Sequence, residues 1–269
     1  MATHLDKILA ATRRDLQYRK ESADRAELEL RASRHEPRGF ARVLRQVSET
    51  GPAVIAELKK ASPSRGLIRP DFPVTELATM LETAGAAALS ILTEENFFQG
   101  SLGNLQEASA AVSIPCLCKD FIVDEFQILE ARAAGADAIL LIVAALEDVN
   151  LRDLTHAAHV HGLDVLCEVH DAEEASRALD LRCDAIGVNN RNLRTFEVRI
   201  ETSLELVDRL PREAVRVAES GIHTAAEIAR LRAAGYHAFL IGESLMRQAN
   251  PGQSLATLLS ASAPREVPA

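Results

Sequence analysis

Apolar and polar positions follow two alternating periods along this chain. Between residues 53 and 242, short apolar runs read as strands. They alternate with longer segments whose apolar residues recur every three or four positions, as on one face of a helix. The strand candidates are AVIAELK (53–59), AALSILT (87–93), PCLCKD (115–120), AILLIV (138–143), DVLCEV (164–169), DAIGVNN (184–190), AVRVAES (214–220) and HAFLIG (237–242). Spacings of roughly 20–35 residues leave room for one helix between successive strands, as in βαβ units. Leu77, Met80, Leu81 and Ala84 make one such helical stripe, and Ile228, Leu231 and Arg232 continue another.

The junctions repeat as well. ETAGAAALSIL (82–92), ARAAGADAILL (131–141) and LRAAGYHAFLI (231–241) each close a helical pattern, place a glycine and open a strand, and HVHGLDVLCEV (159–169) is a looser copy. Gly85, Gly135, Gly162 and Gly235 stand where a helix end takes a left-handed residue. Asp171 with Glu174, and Thr224 with Glu227, fit capping boxes at helix starts. Eight such units predict an α/β fold, a (β/α)8 TIM barrel. An open doubly wound sheet is the structural alternative, but no G-x-G-x-x-G follows the first strand. The first 50 residues lie outside the pattern. Leu5, Ile8, Leu9 and Leu16 form an amphipathic stripe, and the highly charged segment 21–34 reads as an exposed helix. The expected organisation is an N-terminal helical extension (1–50) packed on the barrel (51–260), with a flexible tail (261–269).

Side chains alternate faces along a strand, so the parity of the polar positions matters. Ile55, Glu57 and Lys59 share a face; so do Leu117 and Lys119, Leu166 and Glu168, Gly187 and Asn189, and Val217 and Glu219. Each set carries a polar group near the C-terminal end of its strand, where a barrel has its catalytic mouth. One charged strand end is ordinary solvation, but several in register point to a site. Lysines and glutamates gathered in one concavity shift each other's proton affinities, which suits acid–base chemistry. The loops after strands seven and eight, Glu219-Ser220-Gly221 and Gly242-Glu243-Ser244, are where barrels often bind phosphate. Ser62 and Lys59 can close that cradle, because strand one adjoins strand eight. Phe97 and Phe98 follow strand two, where an aromatic ring can wall a substrate.

Composition narrows the function classes. The chain has 269 residues, 47% hydrophobic and 26% charged, an ordinary soluble balance that suits one large domain. A net charge of -9 counts against non-specific nucleic-acid binding but leaves room for a local anion site. No apolar run approaches the roughly 20 residues of a membrane span, and MATHLDKILAATRRDL does not read as a secretory signal. A cytoplasmic protein without membrane contact is expected. Cys116, Cys118, Cys167 and Cys183 lack zinc-type pairing and read as free thiols. The first three fall on the outward face of their strands, as small apolar residues. His156, His159 and His161 fall on the helix after strand four, away from the mouth, and read as a solvated face rather than a metal site. No Ser/His/Asp elbow motif is present.

The runs IAELKKASPSRG (55–66), LTEENFFQGS (92–101), PCLCKDFIVDEFQI (115–128), LCEVHD (166–171), IGVNNRNLRTF (186–196), VAESGI (217–222) and IGESLMR (241–247) resemble, in order, the signatures of the indole-3-glycerol phosphate synthase family. The likeness spans nearly the whole chain, N-terminal extension included. It implies a (β/α)8 barrel of tryptophan biosynthesis that closes the pyrrole ring of 1-(2-carboxyphenylamino)-1-deoxyribulose 5-phosphate. Carbon dioxide and water are lost, without metal or organic cofactor, and protein partners are left open. By the same resemblance, Lys119 is the general acid and Glu168 an acid–base partner. Glu57 and Lys59 share the remaining proton transfers, while Asn189 and Glu219 hold hydroxyls and orient the lysines. Arg191 faces the anthranilate carboxylate. Ser62, Ser220, Gly221, Gly242, Glu243 and Ser244 match the phosphate site, and Phe98 and Phe121 wall the aromatic ring. Cys118 and Ala61 depart from the family by standing where a basic residue is usual, and Glu243 brings a carboxylate near the phosphate. The rival readings are a non-catalytic phosphate-metabolite barrel and another barrel enzyme of the same pathway. Phosphoribosylanthranilate isomerase would place a cysteine where Glu57 stands, and the tryptophan synthase α subunit would lack the KDF and NNRNL runs.

Overall fold

The computed structural model describes residues 3–193 and 195–262. Three helices come first: α1 (His4–Ser22), α2 (Arg25–Arg34) and α3 (Phe40–Ser48). Eight parallel strands then close a barrel in chain order: β1 (Ala53–Leu58), β2 (Ala88–Leu92), β3 (Cys116–Lys119), β4 (Ala138–Ile142), β5 (Asp164–Val169), β6 (Ala185–Asn189), β7 (Val215–Glu219) and β8 (Ala238–Ile241), with β8 pairing back onto β1. Between and after them run α4 (Val74–Thr83), α5 (Leu102–Ala111), α6 (Glu125–Ala133), α7 (Asp148–Val160), α8 (Ala172–Ala178), α9 (Glu201–Leu206), α10 (Ala225–Ala234), α11 (Glu243–Met246) and α12 (Pro251–Ser262). Helix α12 therefore runs into the segment expected to be a tail, and residues 263–269 lie outside the described residues. No helix among the described residues is long and apolar enough to cross a membrane.

The strand parity read from the sequence holds. Ile55, Leu117, Leu140, Leu166, Val217 and Leu240 pack together inside the barrel. Cys116, Cys118 and Cys167 belong instead to the layer between strands and helices, and all four cysteines are free and buried. Gly85, Gly135, Gly162 and Gly235 adopt positive φ at the helix-to-strand junctions. Thr224 and Glu227 form the expected capping box. Asp171 and Glu174 do not: Asp171 caps α8, but the Glu174 carboxylate turns to the backbone N–H and ring of His170, so the reciprocal bond is missing.

Helix α3 closes the bottom of the barrel. Phe40 and Leu44 of α3, both fully buried, join the inner core beneath Ala53, Val215 and Ala238. No side chain of its own caps α3. Asp164 of β5 accepts the Ala41 N–H at 2.8 Å instead. The connection before α3 is fixed by Asp137, whose side chain is fully buried. Asp137 accepts from Arg38 Nε at 2.9 Å, from the backbone N–H of Arg38 at 2.7 Å and from that of Cys116 at 2.6 Å, with His35 3.2 Å away. Burial pushes its carboxyl up, but His35 and Arg38 overcome this and hold it below the usual range. Helix α1 climbs the barrel wall, where Arg19 lies 3.5 Å from Glu130.

Candidate active site

The chain folds its strand ends into one cavity of about 280 Å³, and every site residue named from the sequence lines it. At its centre is Lys119, the last residue of β3. Its ammonium donates to Glu168 on β5 at 2.7 Å and to Glu219 on β7 at 2.8 Å. All three side chains are nearly buried. Burial works against the charge on Lys119, but Glu168, Glu219 and Glu57 raise it above the ordinary lysine range. The two carboxylates separate. Burial favours the neutral form of both. The Lys119 ammonium and His170 nevertheless hold Glu168 well below the usual carboxylate range, whereas Glu219, repelled by Glu168 and Glu57, is pushed up to about 7. Glu219 leaves its second oxygen, Oε1, without a hydrogen-bond partner. A second acid–base pair, Glu57 with Lys59, lines the same cavity from the end of β1.

Two glycines make room for these acids. A methyl group at Gly187 on β6 would overlap Oε1 of Glu219, and one at Gly242 would overlap Oε1 of Glu57. Asn189, expected to hold hydroxyls and orient the lysines, lines the same cavity, with no hydrogen bond to either lysine among those of the described residues. Its Oδ1 accepts the Arg191 N–H at 3.0 Å and shapes the loop after β6.

Ser220 and Gly221 after β7 both have positive φ, an unfavourable conformation for the serine. Asn190 holds this turn by donating to the Ser220 carbonyl at 3.0 Å, while its oxygen takes the Ser203 hydroxyl at 2.8 Å. Ser62 stands in the short hairpin after β1, in which Ala61–Ser62 pairs with Gly66–Leu67. Its buried hydroxyl has no protein partner. Gly242, Glu243 and Ser244 complete this side of the cavity. The Glu243 carboxylate turns to arginines: Arg65 and Arg247 at 3.1 Å and Arg191 at 3.6 Å. Three guanidiniums surround this one carboxylate, and two of them, Arg65 and Arg191, line the cavity together with Ser62.

Another part of the wall is aromatic. Phe98 and Phe121 lie 6.0 Å apart, centroid to centroid, with planes tilted by 38°. Buried carboxylates shape both loops. Glu94 accepts the N–H groups of Asn96, Phe97 and Phe98, at 3.0, 2.7 and 3.1 Å. Asp120 accepts that of Phe121 at 2.7 Å and the Thr93 hydroxyl at 2.6 Å. Cys118 and Ala61, where the sequence departs from the family, are buried away from this chemistry; Cys118 meets Thr93 at 3.4 Å. His156 and His159 are exposed on α7, and His159 pairs with Asp184 at 2.9 Å.

Several cavity residues were not among the site residues expected from the sequence. Leu5 and Ile8 of α1 line it, as do Arg65, Leu140 and Ile142. His170 lies 3.2 Å from Glu168, although LCEVHD was read only for its glutamate. Its position two residues beyond Glu168 on the same strand parity was the available signal. A larger groove of about 870 Å³ adjoins the cavity and shares Asn189, but it contains none of the lysines, so the smaller cavity is where the acid–base groups meet.

A buried lysine between two carboxylates, an aromatic wall and a cationic loop cluster, at the C-terminal mouth of a (β/α)8 barrel, define an acid–base barrel enzyme with a place for an anionic substrate. The sequence matches the indole-3-glycerol phosphate synthase family over residues 5–258. The chain belongs to that family. A protein of Koribacter versatilis (strain Ellin345) called indole-3-glycerol phosphate synthase is 60% identical over 259 residues, covering 96% of this chain and all of that one. Among solved structures, a tryptophan synthase α-subunit from Pyrococcus furiosus matches with a TM-score of 0.61 at 15% identity, covering 78% of this chain and 99% of that one. The 3-hexulose-6-phosphate synthase of Salmonella typhimurium matches with a TM-score of 0.60 at 13% identity, covering 78% and 99%. At such identities these two likenesses speak for the barrel fold alone.

Proposed function

We propose that this chain is an indole-3-glycerol phosphate synthase. It closes the ring of 1-(2-carboxyphenylamino)-1-deoxyribulose 5-phosphate and releases carbon dioxide and water. The observation that carries the reading is Lys119, shared by Glu168 and Glu219 between an aromatic wall and the loops of β7 and β8. The substrate phosphate sits against Ser62, Ser220, Gly221, Gly242, Glu243 and Ser244, and the anthranilate ring lies along Phe98 and Phe121. Arg191 takes its carboxylate.

The carboxylate-bearing ring carbon attacks the ribulose ketone. Lys119, charged at neutral pH, protonates the developing alkoxide. Carbon dioxide then leaves and the ring regains its aromaticity, so the substrate is its own electron sink. Loss of water needs an acid for the hydroxyl and a base for the adjacent C–H. Glu168 remains ionised and fits the base, while Glu219 titrates near neutrality and keeps one oxygen without a partner, which suits an acid. Glu57 and Lys59 form the second donor–acceptor pair, and Asn189 holds the loop of Arg191.

The test is indole fluorescence after adding the carboxyphenylamino-deoxyribulose phosphate to wild type and to Lys119→Ala. Wild type forms the indole product, and the folded variant loses about two or more orders of magnitude in kcat. A well-folded wild type without turnover refutes the assignment. Turnover undiminished in the variant keeps the function and removes Lys119 as the main acid.

A further inference from the structure

Ring closure of the carboxylate form of this substrate consumes a proton. By atom and charge balance, substrate carboxylate plus one proton gives the indole product, carbon dioxide and water. The groups that handle protons are buried: the side chains of Lys119, Glu168 and Glu219 are 11%, 4% and 2% exposed. A substrate seated over them covers their mouth, so a proton that arrives before product leaves needs another way in.

A line of groups leads there. Glu168 turns one oxygen, Oε2, to Lys119 at 2.7 Å and the other, Oε1, to His170 Nε2 at 3.2 Å. That second contact is at ion-pair distance but off hydrogen-bond geometry, which leaves Nε2 without a hydrogen-bond partner. The other ring nitrogen, Nδ1, lies 2.9 Å from Glu174. His170 and Glu174 line the adjoining groove rather than the cavity that holds the lysine, whereas Glu168 lines that cavity. The His170–Glu168 contact thus spans the partition between the two spaces.

We propose that His170 and Glu174 form a proton relay that recharges Lys119 from the adjoining groove, with Glu168 as the link. The relay rests on the synthase reading above. Once Lys119 has given its proton to the substrate oxygen it is a neutral amine. His170 passes the proton on Nε2 to Oε1 of Glu168, and rotation of the carboxyl group brings that hydrogen to Lys119. Ring rotation then turns the bare nitrogen to the groove, where it takes a proton from water or buffer acid, and Glu174 draws the imidazolium back. Only N–H and O–H bonds are made and broken, and the proton balances the one that the reaction consumes.

The proton affinities run the right way. Burial lowers that of His170, but the facing Glu168 and Glu174 raise its pKa to about 10. Lys119, just beyond Glu168, is raised above the ordinary lysine range. Overall, transfer from His170 to a neutral Lys119 is downhill, and Glu168, held low by the Lys119 charge, accepts the proton only while that charge is gone. His170 acts through Glu168 and does not itself touch the substrate.

The test compares His170→Gln and Glu174→Gln with wild type in rapid-quench assays, first turnover against steady state, with and without added imidazole. Lys119 enters the first turnover already charged. The relay therefore predicts that kcat falls by about tenfold or more, that it falls further than the first-turnover rate, and that imidazole restores it in a concentration-dependent way. The milder Glu174→Gln shows the same signature and carries the test if His170→Gln melts early. Unchanged kcat in both variants overturns the relay. So does an equal fall in first and later turnovers that imidazole leaves unrescued, because that marks a role in placing Glu168. A wild type without turnover overturns the synthase reading and the relay together; an active wild type with unimpaired variants overturns the relay alone.

Discussion

Gly187 has no side chain because Glu219 occupies the space where one would begin. The catalytic layer is set this finely: an acid enters from β7 only where β6 gives way. Gly187→Ala should leave the barrel folded but push Glu219 off Lys119. A displacement of about 1 Å in such a group costs roughly 10²-fold in rate, so kcat should drop by that order while the melting temperature changes little. Unimpaired turnover in Gly187→Ala would show that Glu219 is not held by this contact. The strand-end acids were legible in the sequence because parity alone places them: Glu57, Lys119, Glu168 and Glu219 sit inward of a period-two pattern. His170 shares the parity of Glu168 but lies just past the strand, where the apolar pattern stops. Leu5 and Ile8 showed as a buried stripe, yet nothing local says which surface a distant helix will meet. Arg65 drew no reading of its own, since its value depends on Glu243 brought from the other end of the barrel chain.

Elements were easier to read than their joints. All eight strands appear within a residue or two of their apolar runs, because burial on both faces leaves little choice of residue. The function of α3 was hidden: Phe40 and Leu44 plug the inner core from below. Phe40→Ala should destabilise the protein by about 3–5 kcal/mol, read from denaturant unfolding, with KM scarcely altered. A loss near zero would mean that the plug does not support the barrel. At the opposite end, α11 presents Glu243 to Arg65, Arg191 and Arg247. Its carboxylate competes with the phosphate that the loop is proposed to hold. One unit charge at about 4 Å is worth about 1 kcal/mol in water. Glu243→Gln should therefore bind inorganic phosphate roughly fivefold more tightly by calorimetry, and the advantage should shrink as salt rises. Weaker binding in that variant would instead make the glutamate a needed scaffold for its arginines.

At the scale of the whole molecule, the proposed division is an extension of residues 1–50 fastened to a barrel of residues 51–260, and Asp137 is where the fastening is tightest. Arg38 and His35 come from the segment between α2 and α3, Cys116 from β3, and all converge on one carboxylate at the foot of β4. Removing one partner of a buried pair costs about 3–5 kcal/mol, so Asp137→Asn should lower stability by that order at pH 7. The pH dependence follows from the direction of the shift. The folded carboxyl titrates below its usual range, held there by His35 and Arg38 against burial. Its contribution is therefore complete above the unfolded value of about 3.9 and disappears as pH falls through the folded value. Melting temperatures of wild type and Asp137→Asn should lie well apart at neutral pH and converge below about pH 4. A gap that stays constant down to acid pH would mean that the charge on Asp137 is not what fastens the extension. Glu168 also titrates low, so wild type should lose stability in the same acid range even where the variant no longer can through Asp137. The residual acid sensitivity of Asp137→Asn then measures what Glu168 contributes together with Glu82, Glu201 and Glu227, which also titrate low.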